Sequence, residues 1–336
     1  MLTTNTNVRM DELMKRRWKA LLMIVILVLT LFTTVQAKET PSIIHIDQYD
    51  DIQAMIDASK PNTILYFSPG TYNQTFRIDK QITLTSKDPE KTFINVTTNQ
   101  NKPAITISAS RVCLSNMTIQ NNGPGLYTTG IRILSDQIFI NNCVFQNTPI
   151  GISIWSNNNS ITRNTFVNCK DEGIVLLSTA YSSANNNTIS HCVFKDNCDA
   201  IELQQSCYNL IEHCVMINNT HSGIDAIIKN NNYNTISNCT ITNNKVNGIY
   251  FTHSKENKII DCVIAHNTDG DICTPESENI TIINRQENIS IFSEPESGIN
   301  NHDPIESEQN IKNEQSTLIS IIMKFLNKIR MLFNNK

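Results

Sequence analysis

The chain is poor in charge. Charged residues fill 17% of its 336 positions and the formal net charge is −4. No basic excess is available to neutralise a phosphate backbone, so nucleic acid is not expected as a partner. Aromatic residues are sparse at 7%. None of the ten cysteines forms a Cys-x-x-Cys pair, which disfavours a zinc site. No apolar run reaches the ~20 residues of a membrane span. The run LLMIVILVLTLF, residues 21–32, stops short of it. What abounds instead is asparagine, a residue usually depleted from strands. It is interleaved with Ile, Val and Leu throughout the middle of the chain. That steady aliphatic content argues against disorder, so the asparagines have a repeated structural role.

The two ends differ from the middle. Lys15, Arg16, Arg17 and Lys19 precede the apolar run, and Val35-Gln36-Ala37 offers small residues at a cleavage point. Residues 1–37 therefore read as a signal peptide or an uncleaved N-terminal membrane anchor. Either reading places the rest outside the cytoplasm, secreted or anchored at the cell surface. Residues 285–316 are polar and acidic, with Pro295 and Pro304, and read as a linker. In 317–334, Leu318, Ile322, Phe325, Ile329 and Leu332 fall at helical spacing beside Lys324, Lys328 and Arg330. This basic amphipathic helix suits a membrane surface, a cap on the preceding domain or a partner helix.

Between the ends the chain repeats. TGIRIL (129–134) is followed by QIFINNCVFQN. The pattern returns as IGISIW (150–155), EGIVLL (172–177), AIELQQ (200–205), SGIDAI (222–227) and NGIYFT (247–252). The small-residue slot is Gly130, Gly151, Gly173, Ala200, Gly223 and Gly248, at steps of 21 to 27 residues. Each repeat holds two or three apolar alternations of strand period, none long enough for a helix. Asn, Ser and Gly punctuate them. A unit this small cannot bury its apolar side alone and must stack on its neighbours. The expected architecture is all-β, a coil of short parallel strands about 4.8 Å apart. The frames of leucine-rich repeats and of hexapeptide helices are both missing.

These residues resemble the right-handed parallel β-helix (pectin-lyase-like) proteins, in particular the NosD-type and CASH-type repeat proteins. Residues 50–86 are similar to the entry module of that family. There an amphipathic helix, expected here at 51–59 as a cap, precedes Thr63-Ile64 and then Pro69-Gly70-Thr71-Tyr72. The resemblance covers 43–284. It implies an exported protein that binds carbohydrate or cell-wall polymer along its faces, or alternatively a polysaccharide hydrolase, lyase or epimerase. The sequence departs from the marked enzymes of the family. The Asp-Asp, Gly-His-Gly and Arg-x-Lys set of polygalacturonases is absent. Arg132 and Arg163 are the only arginines in the main repeats, where a lyase needs cations beside an acidic uronate.

Strand alternation sorts the slots into inward and outward columns. Three inward columns form the expected core: Ile131 to Ile249, Ile133 to Phe251 and Leu114 to Ile259. Asn159, Asn187, Asn209, Asn234 and Asn257 are expected to form a buried amide ladder that Asn279 continues. A cysteine slot (Met117, Cys143, Asn164, Cys192, Cys214, Cys239, Cys262) reads as core filler, with vertical disulfides as the alternative. Gly248 is read as a corner residue. The outward column Arg132, Ser153, Val175, Glu202, Asp225, Tyr250 carries the chemistry. Glu202 and Asp225 fall in adjacent rungs, and Asp199, His221 and Glu172 begin the same set of strands. The candidate catalytic group is Glu202, Asp225, Asp199 and His221, walled by the longer connection 178–187. Paired carboxylates serve acid–base work on a glycosidic bond or hold Ca²⁺. Trp155, Tyr250 and Arg132 are candidate carbohydrate contacts. His191 and His213, with Glu212, form a weak candidate for a transition metal. No cofactor is otherwise indicated.

Overall fold

The computed structural model describes residues 40–99 and 101–284. Each repeat folds into three short strands. One rung comprises Ser160–Thr162, Thr165–Val167 and Glu172–Leu177. The next comprises Thr188–Ser190, Val193–Lys195 and Asp199–Gln204. Equivalent strands of successive rungs pair parallel and in register: Ile161 with Ile189, Phe166 with Phe194, Ile174 with Ile201. Stacking produces three sheets. The first has 11 strands, from Ile43–Ile46 to Thr281–Ile283. The second has nine, from Gly70–Tyr72 to Val263–Ala265, and the third has nine, from Phe76–Ile78 to Gly270–Cys273. The fold is an all-β parallel β-helix.

The expected core columns are buried from end to end. A fourth column, in the second sheet, runs Phe145, Phe166, Phe194, Met216, Ile241, Ile264. Its phenylalanine rings stack at 4.8 and 4.7 Å, within 7° of parallel. This column explains the small-residue slot. A Cβ at Gly173 would lie 2.6 Å from Phe194 Cδ1 and 2.7 Å from the Ala200 carbonyl oxygen. A Cβ at Gly248 would meet the Asp271 carbonyl at 2.4 Å. The slot is therefore a close approach of backbone to core, and Gly248 is not the corner residue expected. Alanine is accommodated at 200, where the second-sheet residue of the following rung is the adaptable Met216.

The corners belong to asparagine. Among the described residues 27 non-glycine residues have positive φ, and 13 of them are Asn, which tolerates the left-handed region best among residues with a side chain. Two further sets of asparagines point inward. Asn159, Asn187, Asn209 and Asn234 each donate a backbone N–H to the side-chain oxygen of the next rung's Asn, at 2.8–2.9 Å, ending at Asn257. Asn279 does not continue the ladder. Ile259 pairs with Ile282, so the rung's inward slot falls at Ile280, and Asn279 is exposed and donates to Glu256. A second ladder, Asn197, Asn219, Asn244 and Asn267, runs along another corner and ends on Asp271 Oδ1.

All ten cysteines are free thiols. Cys192, Cys214, Cys239 and Cys262 are buried and donate to carbonyl oxygens, so they act as small core residues. The capping helix, α1 (Ile52–Ala58), lies where expected and sends Ile52 and Ile56 into the core. Asp51 Oδ1 caps it by accepting from Ala54 N at 3.0 Å. Lys80 Nζ closes its other end by donating to the carbonyls of Ile56, Asp57 and Ser59. The leader (1–37), the linker (285–316) and the basic amphipathic helix (317–334), with its membrane-surface reading, lie outside the described residues.

Candidate functional site

The outward columns of the third sheet converge on one cluster of acids. In-register pairing sets Glu172 beside Asp199 and Val175 beside Glu202. It also sets Glu202 beside Asp225, and Asp225 beside Tyr250. A bulge after Glu202 re-aims the strand Ile224–Ile228. His221 enters from the corner before that strand. Its Nδ1 lies 2.8 Å from Asp199 Oδ1 and 3.6 Å from Asp225 Oδ2. Asp199 Oδ1 also accepts from the Ser222 N–H at 2.7 Å. Glu202 Oε1 accepts from Gln204 Nε2 at 2.8 Å. Four of the expected site residues, Glu202, Asp225, Asp199 and His221, are thus brought together.

The cluster is covered rather than solvated. The side chains of Asp199 and Asp225 are 10% and 8% exposed, and His221 is 40% exposed. Asp225 Oδ1 and Glu172 Oε2 are buried without a hydrogen-bond partner among the described residues. No lysine or arginine pairs with any of these acids there. Burial pushes the Asp225 carboxyl up to about 6, with Asp199 adding to the effect. Burial also pushes Glu172 up to about 11, helped by Glu202 and Asp171. Asp199 is raised by burial, although His221 and the Ser222 N–H work against it. For His221, burial opposes the charge, but Asp199, Asp225 and Glu202 outweigh it and raise its pKa. Such perturbed, opposed groups mark functional sites more often than chance.

Glu172 is the member that the sequence marks only as the start of its strand. Asp171, also raised by burial, is a further acid that sequence reasoning missed. The signal available was the Asp-Glu dipeptide immediately before the small-residue slot. The longer connection 178–187 leaves the strand after Leu177, the end opposite Glu172, so it does not wall the cluster at Glu172 and Asp199.

The remaining candidates are spread along the same coil. Trp155 Nε1 donates to Ser153 Oγ at 2.7 Å, and the Arg132 guanidinium lies 5.7 Å from the Trp155 ring centre. Arg132 Nη2 reaches the carbonyls of Asn101 and Tyr127, three rungs from Glu202. Tyr250 directly follows Asp225 in its column. His191 and His213 occupy left-handed corner positions, their rings stacked at 4.9 Å. No third metal-ligating group converges on them among the described residues. Tyr208 and Tyr233, not singled out from the sequence, form an exposed stacked pair at 4.9 Å.

Two family models match the chain. Residues 78–200 match the right handed beta helix region, and residues 176–288 match the periplasmic copper-binding protein (NosD) model. The chain is a right-handed β-helix repeat protein. No curated protein matches it. Among solved structures, Geobacillus virus E2 ORF18 aligns at 12% identity over 71% of this chain and 61% of that one, with a TM-score of 0.47. The A-module of the Azotobacter vinelandii mannuronan C-5 epimerase AlgE6 aligns at 16% identity over 69% and 76%, with a TM-score of 0.45. The PL6 family alginate lyase AlyGC aligns at 12% identity over 69% and 40%, with a TM-score of 0.49. This β-helix spans only part of the viral protein and of the lyase, and at these identities the likeness is one of fold.

The NosD description raises copper. Soft thiolates suit copper(I). Five of the ten thiols (Cys143, Cys192, Cys214, Cys239 and Cys262) stack as a core column and donate to carbonyls, and among the described residues no cysteine belongs to a cluster that could hold a metal. The donors that do converge are one imidazole and two carboxylates. The described residues therefore do not fit a copper(I) site.

Proposed function

We propose that this β-helix lies outside the cytoplasm and binds a neutral or amino-bearing polysaccharide along the outer face of its third sheet. The observation that carries the reading is the order of side chains on that face. Trp155 stands at one end and Tyr250 at the other, four rungs or roughly 19 Å apart, with Glu172, Glu202 and Asp225 between them. Aromatic rings supply flat apolar area for a sugar face, and carboxylates accept hydrogen bonds from hydroxyl or ammonium groups. A polyuronate would meet five acids here (Asp171, Glu172, Asp199, Glu202 and Asp225) without a compensating arginine, so it is disfavoured. The extracytoplasmic placement is supported by the leader-like 1–37 and by the periplasmic family model.

A second reading is acid–base cleavage of the bound glycan. It is favoured by Glu172, whose buried carboxyl stays protonated at neutral pH and so provides a general acid beside Glu202.

The test is a glycan array and affinity electrophoresis with the full chain. Retention by a neutral or amino glycan should weaken about tenfold in Trp155→Ala and in Tyr250→Ala, a loss of ~1.4 kcal/mol each. Binding that ignores both changes, or an array silent for these classes, would remove the reading. Degradation that stops in Glu172→Gln and Glu202→Gln while retention persists would establish the second.

A further inference from the structure

We propose that Asp199, His221 and Asp225 form a binding site for a divalent cation of the zinc type. One ligand atom from each lies within 4.8 Å of the others. The two measured separations, 2.8 Å from His221 Nδ1 to Asp199 and 3.6 Å to Asp225, bracket the edge of about 3.3 Å for a tetrahedron of 2.0–2.1 Å bonds. A cluster of acids alone would not justify a site. The independent observation is the unpartnered Oδ1 of Asp225, on a side chain only 8% exposed and in the same cluster as His221. A buried carboxylate oxygen with no donor is costly, and a cation is the partner that removes the cost.

The donor types select the ion. Imidazole with carboxylates suits zinc and its neighbours in the first transition row, whereas Ca²⁺ takes oxygen ligands. His221 is the one donor here that disfavours Ca²⁺. Three protein ligands leave a fourth position open toward the solvent side, where His221 is 40% exposed. The unpartnered Oε2 of Glu172, next to Asp199 in register, is the nearest candidate to orient that position. On binding, the ion takes the place of any proton on His221 Nδ1: an imidazolium gives it up to solvent, and a neutral imidazole carries its proton on Nε2 instead. The inference does not depend on glycan binding, and its test uses no glycan.

The experiment is calorimetric titration of Zn²⁺, and separately of Ca²⁺, into the full chain stripped with chelator at neutral pH. One Zn²⁺ should bind per chain, about tenfold or more tighter than Ca²⁺, and Asp225→Asn and His221→Gln should each weaken it about tenfold or more. His191→Gln/His213→Gln should leave it unchanged. Thermal melting guards against misfolding. Metal-free Asp225→Asn should melt no lower than wild type, and Zn²⁺ should raise the melting temperature of wild type but not of the variant. No Zn²⁺ binding by wild type overturns the proposal, as do tighter Ca²⁺ binding, binding unaffected by Asp225→Asn, or binding lost with the His191/His213 pair.

Discussion

The adjacent residues Asn218 and Asn219 separate the two duties of asparagine in this coil, and substituting them one at a time should give sharply different costs. Asn218 is exposed and sits at φ 58. Asn219 is fully buried in the second ladder. Its Oδ1 accepts from Asn197 N at 3.1 Å and from Asn197 Nδ2 at 3.0 Å, and its Nδ2 donates to Asn244 Oδ1 at 2.8 Å. In Asn219→Ala three hydrogen bonds go. Asn197 Nδ2 keeps the Phe166 carbonyl, and Asn244 Oδ1 keeps the Asn219 N–H. The Asn197 N–H keeps nothing and becomes a buried orphan. An orphaned buried group costs ~1–3 kcal/mol and each other lost bond ~0.5–1.5, so the expected loss is about 4 kcal/mol. Asn218→Ala loses no buried partner. It pays only for a Cβ at positive φ without the local compensation of Asn, about 1 kcal/mol, and Asn218→Gly should be near neutral.

Urea unfolding of the full chain followed by far-ultraviolet circular dichroism measures both costs. A solenoid need not unfold as one unit, so amide exchange at Asn197 supplies the local readout. Protection at Asn197 should fall in Asn219→Ala and hold in Asn218→Ala. Equal costs at the two positions would refute the division of roles. So would unchanged protection of the Asn197 amide.

Gly173→Ala should cost about 3 kcal/mol or more, because its Cβ meets a Phe194 ring atom and the Ala200 carbonyl. Gly173→Ala/Phe194→Met, which imitates Ala200 followed in the next rung by Met216, should recover part of that loss in the same denaturation assay. The pH dependence of Asp225 follows from its folded pKa of about 6 against an ordinary value of 3.8. The folded carboxyl holds its proton to higher pH than the unfolded one. Its favourable contribution is therefore complete below about pH 4 and is lost as pH rises through 6. With chelator present, the stability advantage of Asp225→Asn over wild type should grow from near zero at pH 4 to ~2–3 kcal/mol at pH 7.5. An advantage that stays flat across that range would contradict the burial of this carboxyl.

The sequence was most informative about what faces inward. A period of 21 to 27 residues with strand alternation fixes which side chains stack, and Ile174, Ile201 and Ile224 fall in line as read. Parity also located Glu202 above Asp225. Parity cannot say how far an outward residue is covered. Asp225 and Asp199 look like members of a solvated acidic stripe from alternation alone. Their burial comes from the approach of His221 and the Ser222 N–H at a corner, which is set by left-handed backbone positions that alternation does not encode. The miscount at Asn279 has the same origin. Asn279 takes the left-handed corner position that Glu256 holds in the rung before, so the inward slot falls one residue later, at Ile280.

The inward columns account for folding, and the outward columns are free to differ from rung to rung without touching the core. The column that holds Asp225 shows this freedom, because Ser153 and Val175 occupy it in earlier rungs. Neither of those residues buries a charge. A serine or asparagine at 225 would spare the fold a buried carboxylate whose Oδ1 no described residue satisfies. Glu172 repeats the situation two strands away, beside Asp199. Two unsatisfied buried acids in adjacent columns, without lysine or arginine among the described residues, oppose the stability of the coil at neutral pH. Nothing in strand pairing, corner geometry or core packing requires them. The compensation therefore comes from outside the described residues, as a proton, a cation or a bound group that donates. A proton satisfies Glu172 at neutral pH. For Asp225, whose pKa of about 6 leaves it mostly ionised there, a cation is the stronger match, because His221 and Asp199 already stand at ligand distance from it.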